Sequence, residues 1–167
     1  VIVIMGILIV IGLTSFMSSQ KKSRDLKRKN DVRQIGLALE AYYNDKNHYP
    51  ASSVDGKIMG CFPTDTAECA WGGVFQDQNN TVYMVTLPGD ALGDMRYMYI
   101  AAIDGSSYQL YARLENTLDG DIPKNAQQQA RVFSDVACSS TVSTVYCNYG
   151  VSSSNKAVDS GRTITYE

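Results

Sequence analysis

The 167-residue chain is predicted to be an α+β protein: a long N-terminal α-helix packed against an antiparallel β-sheet of three or four strands, with a C-terminal disulfide loop. Three observations predict this. No proline occurs before Pro50, and up to Lys46 only Gly6, Gly12, Gly36 and a few Ser/Thr weaken helix propensity. Tyr97 to Ile103 and Tyr108 to Leu114 alternate apolar and polar residues on either side of Asp104-Gly105-Ser106-Ser107, which has the chemistry of a hairpin turn. The four cysteines, Cys61, Cys69, Cys138 and Cys147, lie in the loop-rich remainder, where an even number in a small domain favours disulfides over free thiols.

The helix changes character twice along its length. Val1 to Leu13 reads VIVIMGILIVIGL, apolar all round and uncharged. Thirteen residues fall short of the roughly 20 that a membrane-spanning helix needs. Residues 20 to 33 are polar all round, and residues 32 to 43 are amphipathic, with Val32, Ile35, Leu39 and Tyr42 or Tyr43 on one face. The whole rod would be roughly 70 Å long at 1.5 Å per residue. Only its last third is expected to pack against its own domain. The chain is therefore divided into a protruding helix, residues 1–31, and a globular head, residues 32–167.

His48-Tyr49-Pro50 stops the helix, because a residue before proline is pushed out of the helical region. Residues 51 to 80 read as a connecting loop that holds the first cysteine pair, with one short element near Trp71 to Phe75. Thr81 to Leu87 is a short element closed by Pro88-Gly89-Asp90. In the second strand of the hairpin Tyr108, Leu110, Ala112 and Leu114 point one way, toward a helix. Gln109, Tyr111, Arg113 and Glu115 point the other way, toward water. Glu115 to Gln129 has loop composition; a further strand is expected near Val145 to Val151 and a last one at Thr163 to Tyr166.

Charge is segregated. Residues 21 to 33 carry seven Lys/Arg against two Asp/Glu, a net +5, so the remainder from residue 34 carries −7 within a total of −2. The cysteine spacings of eight and nine lack a zinc knuckle, and His48 is the only histidine. Three disulfide pairings are possible. The two local ones, Cys61 with Cys69 and Cys138 with Cys147, are expected, each closing a short loop worth about 2 to 3 kcal/mol. Disulfides imply an oxidising compartment outside the cytoplasm.

Nothing in the sequence points to an enzyme. His48 sits at a helix end, where capping or packing explains it, and no nucleophile elbow, phosphate loop or metal-ligand cluster appears. No cofactor is expected. Asp119-Gly120-Asp121 with Asp90 or Asp94 has the oxygen ligands of a Ca2+ site, although Asp-Gly-Asp is ordinarily a turn. The basic run has no interleaved aromatic residues, so direct specific binding of nucleic acid is not expected.

Several segments carry a resemblance. Gly6 to Leu13 looks like the later part of a pilin N-terminal helix. The run from Arg24 to Ile35, continuing through Leu39-Glu40-Ala41-Tyr42-Tyr43 to Tyr49-Pro50, resembles the helix and helix end of many bacterial pilin-like proteins. Leu87-Pro88-Gly89-Asp90-Ala91-Leu92-Gly93 is similar to the Leu-Pro-x-Asp-Pro-x-Gly turn of major pseudopilins, with Ala91 where proline is usual. The chain thus resembles the type IV pilin and type II secretion pseudopilin superfamily, up to about residue 116.

The resemblance implies the type IV pilin fold and a structural role, as a subunit of an extracellular helical filament supporting attachment, twitching motility or DNA uptake. The alternatives are a major pseudopilin of a type II secretion system and a monomeric membrane-anchored extracellular binding domain. The implied partners are identical subunits, an inner-membrane assembly platform, a prepilin peptidase and minor pilins. The chain would be inserted in the cytoplasmic membrane before assembly. The N-methylated terminal residue and nearby glutamate of that superfamily do not occur at the start of this sequence, so roughly seven or eight further residues are expected upstream.

Val1, Ile2, Val3, Ile4, Met5, Ile7, Leu8, Ile9, Val10, Ile11, Leu13 and Phe16 would then form the filament core. Gly6, Gly12, Thr14 and Ser15 are where the helix unwinds most cheaply. Lys21, Lys22, Arg24, Lys27, Arg28, Lys29 and Arg33 are expected to face the acidic heads of neighbouring subunits. Val32, Ile35, Leu39, Tyr42, Tyr43, Leu110 and Leu114 are expected to join helix to sheet. By the positive-inside rule the basic run would hold the head in the cytoplasm, a conflict that a basic leader removed on maturation would resolve.

Overall fold

The computed structural model describes residues 16–167, with the helical assignment of the first element carried back to Ile2. Helix α1 (Ile2–Lys46) is continuous. It ends where Asn47 takes a left-handed conformation (φ 60°) and donates its backbone N–H to Tyr43 at 2.7 Å, a left-handed C-terminal cap. The stop therefore comes three residues before Pro50. Tyr49 then donates its N–H to the carbonyl of Gly105 at 2.8 Å, hooking the helix exit onto the hairpin turn. Gly105 has φ 67°, and a Cβ there would come within 2.9 Å of His48, so the turn needs glycine.

Eight short strands follow in three antiparallel sheets. β1 (Phe75–Gln76) pairs with β2 (Val82–Met84). β3 (Met98–Ala101), β4 (Tyr108–Ala112) and β7 (Tyr149–Ser152) form the sheet under the helix, in the order β3-β4-β7. β5 (Arg131–Ala137), β6 (Tyr146–Cys147) and β8 (Ile164–Tyr166) form another, in the order β6-β5-β8. The expected hairpin is present, with Tyr99 opposite Leu110 and Ala101 opposite Tyr108. Both local disulfides, Cys61–Cys69 and Cys138–Cys147, are formed. The molecule is α+β, one helix on antiparallel sheets.

The core has two parts. Val32, Ile35, Leu39 and Tyr42 of α1 pack against Tyr99, Leu110, Ala112, Leu114 and Tyr149. On the far side of β4, Tyr111 and Met98 pack with Phe133, Val136 and the Cys138–Cys147 bridge, the Tyr111 and Phe133 rings being 4.9 Å apart.

This second core corrects the expectation of a wet face. Gln109 and Tyr111 are buried because the chain after β7 folds over them. Gln109 Nε2 donates to the carbonyls of Ala157, Val158 and Ser160, and Tyr111 Oη donates to Val158 at 2.6 Å. Arg113 and Glu115 are half-buried. The antiparallel sheet of three or four strands expected against the helix is the three-stranded β3-β4-β7 sheet; the β1-β2 and β6-β5-β8 sheets are additions to it. Asn148 lies where the chain leaves β6 for β7; fully buried, it bonds both backbone groups of Leu114 and so replaces a strand partner.

Candidate functional site

The face that α1 turns to its head runs Asp25, Arg28, Asp31, Val32, Ile35, Leu39, Tyr42, a single stripe at helical spacing. Its last four residues are the expected apolar contact. Tyr43, also expected there, is instead partly exposed, its ring 4.6 Å from Tyr49; one residue on from Tyr42, it is turned about 100° away.

The first turns of the stripe are ionic. Arg28, 1% exposed, donates Nε and Nη2 to the two oxygens of Asp90 at 2.6 and 2.9 Å. Its Nη1 donates to Asp25 at 2.9 Å and Glu115 at 2.7 Å. Arg24 grips Glu115 with two more bonds, at 2.7 and 2.6 Å. Asp25 also accepts the backbone N–H groups of Glu115 and Asn116, both at 2.9 Å, so it caps the loop after β4. Asp31 accepts from Tyr97 Oη and from Lys27, each at 2.8 Å. Lys29 donates to Asp119 and Asp121, both at 2.6 Å.

These contacts set the protonation of the cluster. Burial alone would lower the Arg28 pKa, but bonds to Asp90 and Glu115 outweigh it and raise it further. Arg24, opposed by burial and reinforced by Arg28, holds the Glu115 carboxyl down at about 2. Burial would lower Lys29 and raise Asp119; their pairing overrides both effects, keeping Lys29 above and Asp119 below the usual ranges.

The structure thus corrects the expected roles of the basic residues. Arg24, Arg28 and Lys29 are committed to carboxylates of their own head, and Lys27 pairs with Asp31 one helical turn away. Arg28 is buried in this way, whereas the Lys27 side chain stays 52% exposed. The packed head accordingly begins at about Arg24, not at residue 32. Lys21, Lys22 and Arg33 are exposed, and among the described residues no ion pair joins them. Of the carboxylates with the chemistry of Ca2+ ligands, Asp119 and Asp121 share Lys29, and Asp90 is paired with Arg28. His48 is exposed at the helix end, its Nδ1 2.9 Å from the Lys46 carbonyl.

Residues 16 to 23 are exposed without interruption. Phe16, expected in a filament core, is among them. Val1, Ile2, Val3, Ile4, Met5, Ile7, Leu8, Ile9, Val10, Ile11 and Leu13 lie outside the described residues, as do Gly6, Gly12, Thr14 and Ser15. Among the described residues no helix is long and apolar enough to cross a membrane. Farther along α1, Leu26, Arg33 and Leu37 stand at a seven- and four-residue spacing on the outward face, and Leu37 is 71% exposed. Beside Leu37 a groove of about 340 Å³ runs between Gly36, Glu40, Tyr108 and Val151.

Comparison with protein-family models, curated proteins and solved structures finds no match.

Reasoning from sequence missed the acidic half of the ionic cluster. Asp25, Asp31, Asp90 and Glu115 were not recognised as helix-anchoring residues. One signal was present: Asp25, Arg28, Val32, Ile35 and Leu39 continue a single three- and four-residue spacing, hidden because its first members are charged.

Proposed function

We propose that the chain is a type IV pilin-like subunit whose projecting helix assembles with identical copies into an extracellular helical filament. One observation carries this reading. In the helix Ile2–Lys46, the described residues 16–23 are all exposed, and the grip of the head on the described part begins at about Arg24. Sequence supplies the rest: the exposed helix runs back into thirteen apolar residues, a surface that burial among copies would stabilise at about 25 cal/mol per Å². Leu26 and Leu37 extend an apolar element along the outer face of the same helix, interrupted by Arg33.

In this reading the ionic cluster fixes the angle between head and helix, and the filament inherits that angle. Lys21, Lys22 and Arg33 are the cations left to meet the acidic heads of neighbours. The head lies outside the cytoplasm, where its disulfides persist. Before assembly the helix sits in the cytoplasmic membrane, and an assembly platform, prepilin peptidase and minor pilins are the partners that the resemblance implies.

Negative-stain microscopy of material sheared from the cell surface should show thin fibres that contain this chain. Recovery solely as a detergent-extracted monomer would overturn the reading. The Leu87 to Gly93 turn favours a second reading, a pseudopilin of a secretion system, since Asp90 in that turn is the bidentate partner of Arg28. Fibres absent from the surface at native expression, with secretion lost when the chain is deleted, would support that reading instead.

A further inference from the structure

A cleft of about 600 Å³ opens on the head between Asp55, Trp71, Gly93, Arg96 and Ser140, within the range of small-molecule sites. Its walls are tied down. The Trp71 turn is pinned by Gly72 N–H to the Leu87 carbonyl at 2.5 Å and by Leu87 N–H to Gly73 at 2.6 Å. Arg96 N–H donates to the Cys138 carbonyl at 2.9 Å and Ser140 N–H to Asp94 at 2.9 Å, so the second disulfide loop holds the opposite wall.

Two side chains give the cleft its chemistry. Trp71, the single tryptophan of the chain, is half-buried, its ring perpendicular to Tyr97 at 5.8 Å. Arg96 has unspent donors on its terminal nitrogens: among the described residues its one ion pair is Nη1 with Asp55 at 3.8 Å, a carboxylate 69% exposed. Arg24 and Arg28, by contrast, each hold carboxylates at 2.6 to 2.9 Å. A planar donor fork beside an aromatic face fits a ring that carries a carboxylate. The Asp55 carboxylate adds an acceptor for hydroxyl groups, as does the Ser140 oxygen, whose own hydrogen is donated to the Asp94 carbonyl at 3.2 Å. Lys57, the other cation lining the cleft, is paired with Glu68 at 2.6 Å.

We propose that this cleft binds an acidic monosaccharide unit, with Trp71 against the apolar face of the pyranose and Arg96 on its carboxylate. The site is independent of how subunits assemble. Asp55 stands on its rim, which disfavours the denser charge of a phosphate.

Trp71 makes the test direct. Its fluorescence is followed in the full chain, held in phosphocholine detergent micelles that carry no sugar headgroup, as D-glucuronate, D-glucose, acetate or adenosine monophosphate is added. Glucuronate should give a saturable change at a concentration at least tenfold below glucose and acetate, and Arg96→Gln should remove that preference. Gly93→Leu should abolish the response with the melting curve unchanged, because a Cβ at Gly93 meets no protein atom within 4 Å. The proposal is overturned by an unsaturable glucuronate response, by an equal response in Arg96→Gln, or by adenosine monophosphate binding as tightly as glucuronate.

Discussion

The face of α1 that meets the head is built in two ways, from charge between Arg24 and Asp31 and from hydrocarbon between Val32 and Tyr42. The apolar half adapts: Leu39 and Ile35 gain from any close packing, and their energy depends weakly on angle. The ionic half does not. Arg28 satisfies three carboxylates at once, two of them through planar bidentate or shared geometry, so a small rotation of the helix loses several bonds together. A buried ion cluster adds little net stability over a well-packed apolar patch, and a fixed orientation is what it supplies here. If the chain is the filament subunit proposed above, that division suits assembly: hydrocarbon would hold the helix on, and charge would aim it.

The largest expected effect comes from breaking the ionic half. Arg28→Ala leaves Asp25 and Asp90 buried without their cation, and should cost about 3–5 kcal/mol in chemical denaturation. Leu39→Ala, at a fully buried position of the apolar half, should cost about 2–5 kcal/mol through its cavity, with the head-to-helix angle preserved. If Arg28→Ala unfolded no more easily than a surface substitution, the division between the halves would fail.

Acid separates the two halves without mutation. Glu115 titrates at about 2 in the folded chain against an ordinary 4.5. Its contribution is therefore present above about 4.5 and is lost as the pH falls toward 2. Stability followed by denaturant midpoint should decline through that window, and Glu115→Gln should flatten the decline. The smallest effect is expected outside the stripe. Leu37→Ala, on the outward face, should change monomer stability by less than about 0.5 kcal/mol, while weakening any contact between subunits.

The same contrast explains what could be read in the sequence. Val32, Ile35, Leu39 and Tyr42 were legible because their hydrophobicity carries the helical period. Asp25, Arg28 and Asp31 share that period, but a charged residue reads as solvated until its partner is known, and Asp90 and Glu115 lie 62 and 87 residues away from Arg28. The hairpin and both disulfides were legible because they are local. β5 went unrecognised: Val132 and Phe133 are adjacent and both buried, and its pairing with β6 shifts register between Phe133 and Ala137, so the alternation that marks a strand is broken. Gln109 and Tyr111 read as water-facing from sequence because nothing local shows that residues 157–160 fold over them. The Arg96 and Trp71 cleft gathers residues from four separate loops and has no linear signature.

The central claim of the proposed function is that the apolar sequence at the start of α1 drives assembly. The most direct measurement is sedimentation and electron microscopy of the purified full chain after detergent removal, beside a chain carrying Ile7→Lys and Ile11→Lys. The account predicts sedimenting fibres of uniform width from the first and dispersed protein from the second, with equal melting of the two heads. Equal fibre formation by both chains, or monodisperse monomer from the unaltered one, would contradict it.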